Sequence, residues 1–310
     1  MKGVLKQALW WASPALFKRI TKPSRGQTFS IGVFTGQSPV GLDNPEHVIN
    51  PVMTREHVTD APAAFVADPF MVRHEDRWYM FFEVLNSVTR LGQISVATSP
   101  CGFDWTYAGC VLKEPFHLAY PHVFQHDGNF YMVPDTPNQG VVIYRASAFP
   151  SGWQRMDTLL QGGRFSDSSV FQYDGGWWML TAWSQHPSDS KSLRLFFADD
   201  LLGPWHEHPQ SPIVAESKSR SRPAGRVIAE RGRMLRFAQV GYPEYGSHVR
   251  AFEIVDLTRS TYREQEVGSS KPILQGCGIG WNAGGMHHVD AHELADGAWI
   301  ACVDGWYAQP

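Results

Sequence analysis

Residues 120–133 read YPHVFQHDGNFYMV, the clearest copy of a pattern that recurs along the chain. Two apolar runs flank Asp127-Gly128, and Asp-Gly between such runs is a strong signal for a β-hairpin. Four further units share a polar or proline-containing opening, an apolar strand, a short turn and a second apolar strand. The five units, including residues 120–133, open near residues 68, 121, 167, 223 and 288, at intervals of 53, 46, 56 and 65 residues. Each interval is long enough for a four-stranded sheet with its loops.

Five such units predict an all-β, five-bladed β-propeller over residues 27–310. Third strands are visible at 93–97, 141–144, 193–197 and 248–252, and Trp105, Trp153 and Trp205 fall near the outer strands. The fifth unit is two strands short when it ends after Trp306. We therefore expect residues 30–34 to supply a missing strand and close the ring.

The composition agrees with a β-rich globular protein. The chain has 28 Gly and 21 Pro among 310 residues, together with 12 Trp, 10 Tyr and 18 Phe. The Gly and Pro content implies many turns, and the aromatic content excludes a disordered chain. The net charge of −3 argues against a dedicated nucleic-acid binder, which would be clearly basic.

Residues 1–26 form a separate, basic segment in this interpretation. The first 42 residues contain six Lys or Arg and no acid, which leaves 21 basic and 30 acidic residues, a net −9, for the rest. Leu5, Leu9 and Leu16 fall near one helical face over residues 3–20, which predicts a short amphipathic helix. Such a helix suits peripheral contact with an anionic membrane, and the alternatives are a helix docked on the propeller or a disordered extension. The apolar stretch 8–17 is too short to span a bilayer.

The first strand of each propeller blade lines the central channel, so the residues at the five strand openings should converge. Each opening carries a polar or ionisable side chain, which packing alone does not explain because buried charge is costly unless paired. The alternative is a polar cluster that ties the inner strands together. The candidates are Asp68, Tyr120, His122, Asp167, Arg222, His287, His288 and Asp290.

Asp68 and Asp167 are the best candidates for a catalytic pair, because paired carboxylates suit glycosyl chemistry. Glu83 and Asp135 end the second strands of the first two blades and are expected to reach the same pocket or to act as strand-end turn residues. His287-His288 with Asp290 resembles metal-ligand chemistry, but adjacent residues on a strand face opposite sides, so we predict neither a metal site nor a cofactor.

Several motifs agree, in order, with one known family. They are residues 30–39, Asn50-Pro51-Val52-Met53-Thr54, Phe65-Val66-Ala67-Asp68-Pro69-Phe70, Met80-Phe81-Phe82-Glu83, Tyr120-Pro121, Arg222-Pro223 and His287-His288-Val289-Asp290. Over residues 28–306 the chain resembles the N-terminal domain of glucosamine inositolphosphorylceramide transferase, in the form of a standalone bacterial relative. The resemblance implies a role in cell-surface glycan or glycolipid assembly.

That domain is similar, more distantly, to the five-bladed arabinanase, xylosidase and fructosidase propellers. The similarity implies that Asp68 is the general base and that Asp167 tunes the acid. The fourth-blade Glu that serves as the acid in those enzymes is missing, because Ser221-Arg222-Pro223 stands in its place. With Arg226, His122 and His288, Arg222 is expected either to bind an anionic group or to form a structural ion pair with Asp68 or Asp167.

The leading hypothesis is therefore a propeller that makes or breaks a glycosidic bond in a glycan, glycolipid or sugar-nucleotide substrate. One alternative is a noncatalytic glycan-binding module that serves a partner glycosyltransferase. Another is a glycosidase whose acid is Glu83 or Glu216. Four cysteines without C-x-x-C spacing suggest reduced thiols and a cytoplasmic protein, peripheral at the inner membrane if residues 1–26 bind lipid.

Overall fold

The computed structural model describes residues 26–186, 189–268 and 271–308. The predicted helix over residues 3–20 lies outside these ranges. The described chain begins with β1 (Gln27–Ser38) and β2 (Gly41–Asp43), which belong to the last blade of the fold.

The next three blades are four-stranded antiparallel sheets in which the strands follow one another outward from the channel. Blade 1 consists of β3 (Ala63–His74), β4 (Arg77–Asn86), β5 (Gly92–Ser99) and β6 (Thr106–Leu112). Blade 2 consists of β7 (Ala119–His126), β8 (Asn129–Asp135), β9 (Val141–Ala148) and β10 (Ser151–Leu160). Blade 3 consists of β11 (Arg164–Tyr173), β12 (Gly176–Ser184), β13 (Ser192–Ala198) and β14 (His206–Glu207).

Blade 4 differs because its inner strand is interrupted. The two pieces, β15 (Arg222–Pro223) and β16 (Ile228–Glu230), both pair with β17 (Arg233–Val240). Farther out lie β18 (His248–Leu257), β19 (Tyr262–Glu266) and β20 (Leu274–Gln275), and a 3-10 helix at Gly280–Asn282 leads to the last blade. The interruption leaves residues 224–227 free to approach the channel.

Blade 5 closes the ring with strands from both ends of the described chain. Its inner strands are β21 (Gly285–Glu293) and β22 (Trp299–Ala308), and β22 pairs with β1 from Gln27↔Ala308 to Gly36↔Trp299. The outermost strand is β2. The prediction that residues 30–34 supply a missing strand is confirmed, as is the all-β five-bladed propeller.

The hairpin signals are also confirmed where Asp-Gly or Arg-Gly joins the first two strands. Asp127-Gly128, Asp174-Gly175 and Arg231-Gly232 all have positive φ at both residues, which a two-residue type I′ turn requires. Apolar side chains from facing blades form five successive core layers around the ring, so each blade is stabilised by its two neighbours. Within the described ranges, no helix has the length and apolarity needed to cross a membrane.

Candidate functional site

The inner strands of four blades carry the same irregularity where they enter the channel. The register with the second strand shifts between Ala67 and Phe70, Ala119 and His122, Ser166 and Ser169, and Met286 and His288. The first three bulges hold Asp68, Tyr120 and Asp167 at φ of 54°, 46° and 54°. An L-residue rarely adopts this conformation, and bulges re-aim side chains next to functional sites. The repeated device turns the strand-opening residues toward one channel mouth.

Asp68 lies beside a buried acid that the sequence did not single out, Asp304 on β22. Asp304 Oδ2 accepts a hydrogen bond from the Asp68 backbone N–H at 2.9 Å, and its Oδ1 lies 2.7 Å from His287 Nδ1. Burial opposes the charged forms, but their mutual attraction raises the pKa of His287 and lowers the pKa of Asp304. The Asp304 carboxylate thus places the Nδ1 proton of His287, which leaves Nε2 facing Asp68 Oδ1 at 3.7 Å.

The Asp68 carboxyl is held near the midpoint of its titration at neutral pH. Burial raises its pKa to about 7, and Asp304 and Asp167 add to the rise while His287 opposes it. Its Oδ2 accepts a hydrogen bond from the Tyr120 backbone N–H at 3.3 Å. A carboxyl with these properties can either accept or donate a proton near pH 7.

Asp167 has the opposite environment. Arg222 Nε donates to Asp167 Oδ2 at 2.6 Å, and Gln239 Nε2 donates to the same oxygen at 3.3 Å. The Arg222 guanidinium also lies over the Tyr245 ring, 5.3 Å from its centroid. Of the two roles expected for Arg222, the geometry shows the ion pair, and the partner is Asp167.

Two more acids border the same cluster, and each has a buried oxygen without a hydrogen-bond partner among the described residues: Glu83 Oε1 and Asp135 Oδ1. His117 Nε2 lies 3.5 Å from Glu83 Oε1 without hydrogen-bond geometry. Burial, reinforced by Asp68, raises the pKa of Glu83 well above its usual value, and burial, reinforced by Asp167, raises the pKa of Asp135 to about 8. Burial therefore favours the protonated form of both carboxyls, in which each can donate a hydrogen bond to a ligand.

Lys191 brings a second cation to this group. Its Nζ donates to Ser166 Oγ at 2.9 Å, one residue before Asp167. Burial and Arg222 lower the pKa of Lys191, while Asp167 and Asp135 oppose the decrease. The mouth therefore combines several buried carboxyls with the cations of Arg222 and Lys191.

A closed ionic cluster lies deeper in the channel, about three residues farther along the inner strands than the residues of the mouth. Asp290 accepts hydrogen bonds from Arg226 and from the Met71 N–H (2.6 Å), and His292 Nε2 lies 3.0 Å from it. Burial alone would raise the pKa of Asp290, but Arg226 and His292 hold it below its usual range. Arg226 also donates to the Val123 carbonyl at 3.2 Å. Asp290 and Arg226 thus join the inner strands. This is the polar cluster that the sequence offered as the alternative to a functional site.

Between the mouth and this cluster lies a layer of rings formed by Phe70, Tyr120, His122 and His288. His122 Nδ1 accepts a hydrogen bond from the Val170 N–H. Neither ring nitrogen of His288 has a hydrogen-bond partner among the described residues, and its Nδ1 lies 3.9 Å from Asp68 Oδ1. Burial lowers the pKa of His122 to about 3 and that of His288 to about 4, so both rings are neutral at pH 7. Neither carries the positive charge that the expected anion-binding role would use.

Among the described residues, one group of side chains has the spacing to hold a cation: Asp68, His287 and Asp304, whose ligand atoms lie within 4.8 Å of one another. Asp304 accepts a hydrogen bond from the Asp68 backbone N–H and lies 2.7 Å from the His287 ring, whereas Asp68 Oδ1 and His287 Nε2 are 3.7 Å apart. The pairing of His287, His288 and Asp290 considered from the sequence does not form, because Asp290 belongs to the deeper cluster.

Comparison with known proteins identifies the family. The profile described as "Glucosamine inositolphosphorylceramide transferase 1, N-terminal" matches residues 22–306. The chain belongs to this family. Glucosamine inositolphosphorylceramide transferase 1 of Oryza sativa subsp. japonica is 34% identical over 302 residues, 91% of this chain and 40% of the rice protein. The Arabidopsis thaliana protein of the same name is 32% identical over 299 residues, 90% of this chain and 39% of that protein. The chain thus spans about two fifths of these relatives, and the family resemblance expected from the motifs is confirmed.

Solved structures share the fold. A thermostable family-43 glycoside hydrolase superposes with a TM-score of 0.60 at 15% identity, covering 84% of this chain and 92% of that one. The catalytic domain of the Coprinopsis cinerea GH62 α-L-arabinofuranosidase gives 0.56 at 14% identity, covering 76% and 78%. At these identities the likeness establishes the propeller architecture.

The structure brings together Asp68, Asp167, Arg222 and His287, with Glu83 and Asp135 at the border. It places His122, His288 and Asp290 deeper in the channel, and Glu216 is exposed on the loop before β15. The catalytic and binding roles of all these residues stay predictions. Asp304 was not predicted from the sequence, where its signal is a lone acid in the apolar run 299–306. Lys191 and Tyr245 carried no comparable signal, because both lie in loops.

Proposed function

We propose that the chain is a carbohydrate-active propeller that takes part in building a glycolipid headgroup, with the channel mouth as its reaction centre. One observation carries the proposal: two buried carboxyls have different partners, Asp167 an ion pair with Arg222, and Asp68 the His287 ring at 3.7 Å with a pKa of about 7. Different environments for neighbouring carboxyls mark acid and base assignments in glycosyl chemistry. Family membership supports the glycolipid setting, since the relatives are named for an inositolphosphorylceramide.

The reaction that suits these residues is glycosyl transfer from a sugar phosphate or sugar nucleotide to a hydroxyl. The ionised form of Asp68 accepts the proton of the acceptor hydroxyl as its oxygen bonds to the anomeric carbon. The bond from that carbon to the phosphate oxygen breaks, and its electron pair leaves with the phosphate. Arg222 and Lys191 stabilise the departing negative charge.

Arg222 favours this reaction over hydrolysis of a glycoside. A glycoside leaves as an alcohol and needs a carboxylic acid to protonate its oxygen. A phosphate leaves as a stable anion and needs cations instead. The first strand of blade 4 provides Arg222 where the similar glycosidases would have their acid, and its charge suits the second kind of leaving group.

The test uses the full chain with UDP-glucosamine or UDP-N-acetylglucosamine and an inositolphosphorylceramide acceptor, with products detected by mass. Asp68→Asn should reduce turnover by about 10²–10⁴-fold, the usual contribution of a general base. Arg222→Gln should also reduce it, whereas Asp76→Asn, an exposed acid at the β3–β4 turn, should not. Wild-type-like turnover in Asp68→Asn would contradict the assignment of the base.

A second candidate, a noncatalytic glycan-binding module, is supported by how the chain relates to its relatives. It matches a part described as N-terminal and covers 40% of the rice protein, which leaves most of that protein for other activities. In this case the wild type binds the acceptor headgroup in calorimetry, Arg222→Gln weakens the binding, and no product forms with any donor.

A third candidate, hydrolysis with Glu83 as the acid, is supported by the raised pKa of the buried Glu83 carboxyl. It predicts release of nitrophenol from aryl arabinosides, xylosides or other aryl glycosides, and loss of that release in Glu83→Gln. Glu216→Gln should leave the rate unchanged, because Glu216 is exposed.

Residues 1–26 would bring the mouth to a membrane. This basic segment leads into β1, and Gln27 Nε2 donates to the Tyr245 carbonyl at 2.7 Å, beside Arg222. Tyr242 and Tyr245 are 68% and 43% exposed nearby. The full chain should sediment with phosphatidylcholine vesicles that contain phosphatidylglycerol and not with phosphatidylcholine alone, and Lys18→Gln with Arg19→Gln should weaken sedimentation.

A further inference from the structure

A groove of about 530 Å³ opens between blades 2 and 3, outside the site at the channel mouth. Its walls are the β8–β9 loop, the β10–β11 loop and the end of β12. Because β8 and β12 end on the face where the inner strands enter the channel, the groove lies on the same face as the mouth. Its volume falls within the range of about 300–1,000 Å³ that is usual for small-ligand sites.

The groove continues directly from the mouth. Arg164 lines it and lies on β11 three residues before Asp167, about 10 Å along the strand. Between them, Ser166 binds Lys191, and across the strand Arg164 pairs with Ser184. On the other wall, Asp135 ends β8 immediately before the loop that carries Asn138. The groove and the mouth therefore share strands and lie about 10 Å apart along β11.

The polar lining matches hydroxyl-rich ligands. Amides both donate and accept hydrogen bonds, as sugar hydroxyls do, and amides and hydroxyls dominate the wall: Asn138, Gln139, Thr158, Gln161, Ser184 and Gln185. Arg164 is the ionisable side chain of the lining, and its Nη1 donates to Asn138 Oδ1 at 2.8 Å, which orients that amide.

Trp183 indicates the kind of occupant. It gives the groove an aromatic surface that is held rigidly, since Arg194 lies 4.0 Å from its ring centroid and is itself ion-paired to Glu207. Aromatic surfaces beside amides are suited to the apolar faces and polar rims of sugar rings.

We infer that the groove between blades 2 and 3 binds a neutral sugar residue of the glycan whose neighbouring unit occupies the channel mouth. The inference rests on the proposed function of the mouth and adds a second subsite to it. Gln139 and Gln161 bind its hydroxyls from the two loops, and Trp183 provides the packing surface.

The experiment compares two probes by calorimetry on the full chain: myo-inositol 1-phosphate, and the same compound extended by one N-acetylglucosamine ring, which is neutral. The wild type should bind the extended probe roughly tenfold more tightly, as expected from one or two added hydrogen bonds. Gln139→Ala with Gln161→Ala should abolish this gain without changing the affinity for myo-inositol 1-phosphate.

The matched control is Gln125→Ala with Gln172→Ala, two exposed glutamines of blades 2 and 3 near the turns at the opposite face. This variant should keep the full gain. The inference would be overturned, and the proposed function left standing, if the groove variant kept the tighter binding of the extended probe while Arg222→Gln weakened the binding of both probes. Failure of the wild type to bind either probe would overturn both.

Discussion

At the residue scale, the central feature is the raised pKa of the Asp68 carboxyl. Its pKa of about 7 in the folded protein exceeds the value of about 3.9 in an unfolded chain. The folded state therefore holds the proton more tightly between these pH values. The contribution of Asp68 to stability is fully present below about pH 4 and is lost as the pH rises through 7.

This predicts a pH-dependent difference between wild type and Asp68→Asn, since Asn tolerates positive φ but does not ionise. The free energy of unfolding of the variant relative to the wild type should rise from pH 4 to pH 7, by about 1.4 kcal/mol per unit of pKa shift at most, and then level off. Urea unfolding at a series of pH values measures it. Asp76→Asn, an exposed acid, should show no such trend, and a pH-independent difference in Asp68→Asn would refute the raised pKa.

A second prediction concerns Asp304, which acts through His287. Asp304→Asn removes the carboxylate that contributes most to raising the pKa of His287, so that pKa should fall. NMR titration of the histidines measures the change. The pKa of His122, which stands apart from Asp304, should stay near 3. Asp296→Asn, an exposed acid in the β21–β22 loop, should leave His287 unaltered; a His287 pKa that stays raised in Asp304→Asn would show that another group controls it.

At the element scale, the broken inner strand of blade 4 lets residues 224–227 reach the channel. Gly225 has φ +136°, and a Cβ there would lie 1.8 Å from the Val289 carbonyl oxygen. The Tyr120 hydroxyl bonds both the N–H and the carbonyl of Gly225, so three blades meet at this glycine. Only a residue without a side chain allows this close approach.

Gly225→Ala should therefore cost about 1–3 kcal/mol from forced overpacking, in addition to the backbone strain of its positive φ. Gly232→Ala is the matched control, because it has φ +80° but nothing within 4 Å of its Cβ position. It should cost only the backbone strain, about 1–2 kcal/mol. Urea unfolding separates the two, and equal costs would mean that the contact with Val289 relaxes easily.

At the scale of the whole molecule, stability depends on closure of the ring by β1. Ile31 on β1 is fully buried in the core layer between blades 5 and 1. Ile31→Ala should cost about 2–5 kcal/mol and lower the melting temperature in one cooperative transition. Ile49→Ala, with a side chain that is 93% exposed, should leave the melting temperature unchanged. A loss confined to β1 in hydrogen exchange, with the other blades still protected, would contradict cooperative closure.

The amino-acid sequence by itself determined the repeated units, their type and the strand that closes the ring. These features depend on local patterns: apolar runs, Asp-Gly turns with positive φ, and a fifth unit that lacked two strands. It also placed Asp68, Asp167, Arg222 and His287 at strand openings, because the same position recurs in each unit.

The tertiary structure alone decided which of these side chains meet and what charge they carry. Asp290 and Arg226 pair in the deeper layer although Asp290 is only three residues from His287, because each step along an inner strand moves a side chain to another depth of the channel. Asp304 accepts a hydrogen bond from the Asp68 backbone although 236 residues separate the two in the sequence. Pairing across the ring, and the burial that sets each pKa, depend on distances between blades that no local pattern records.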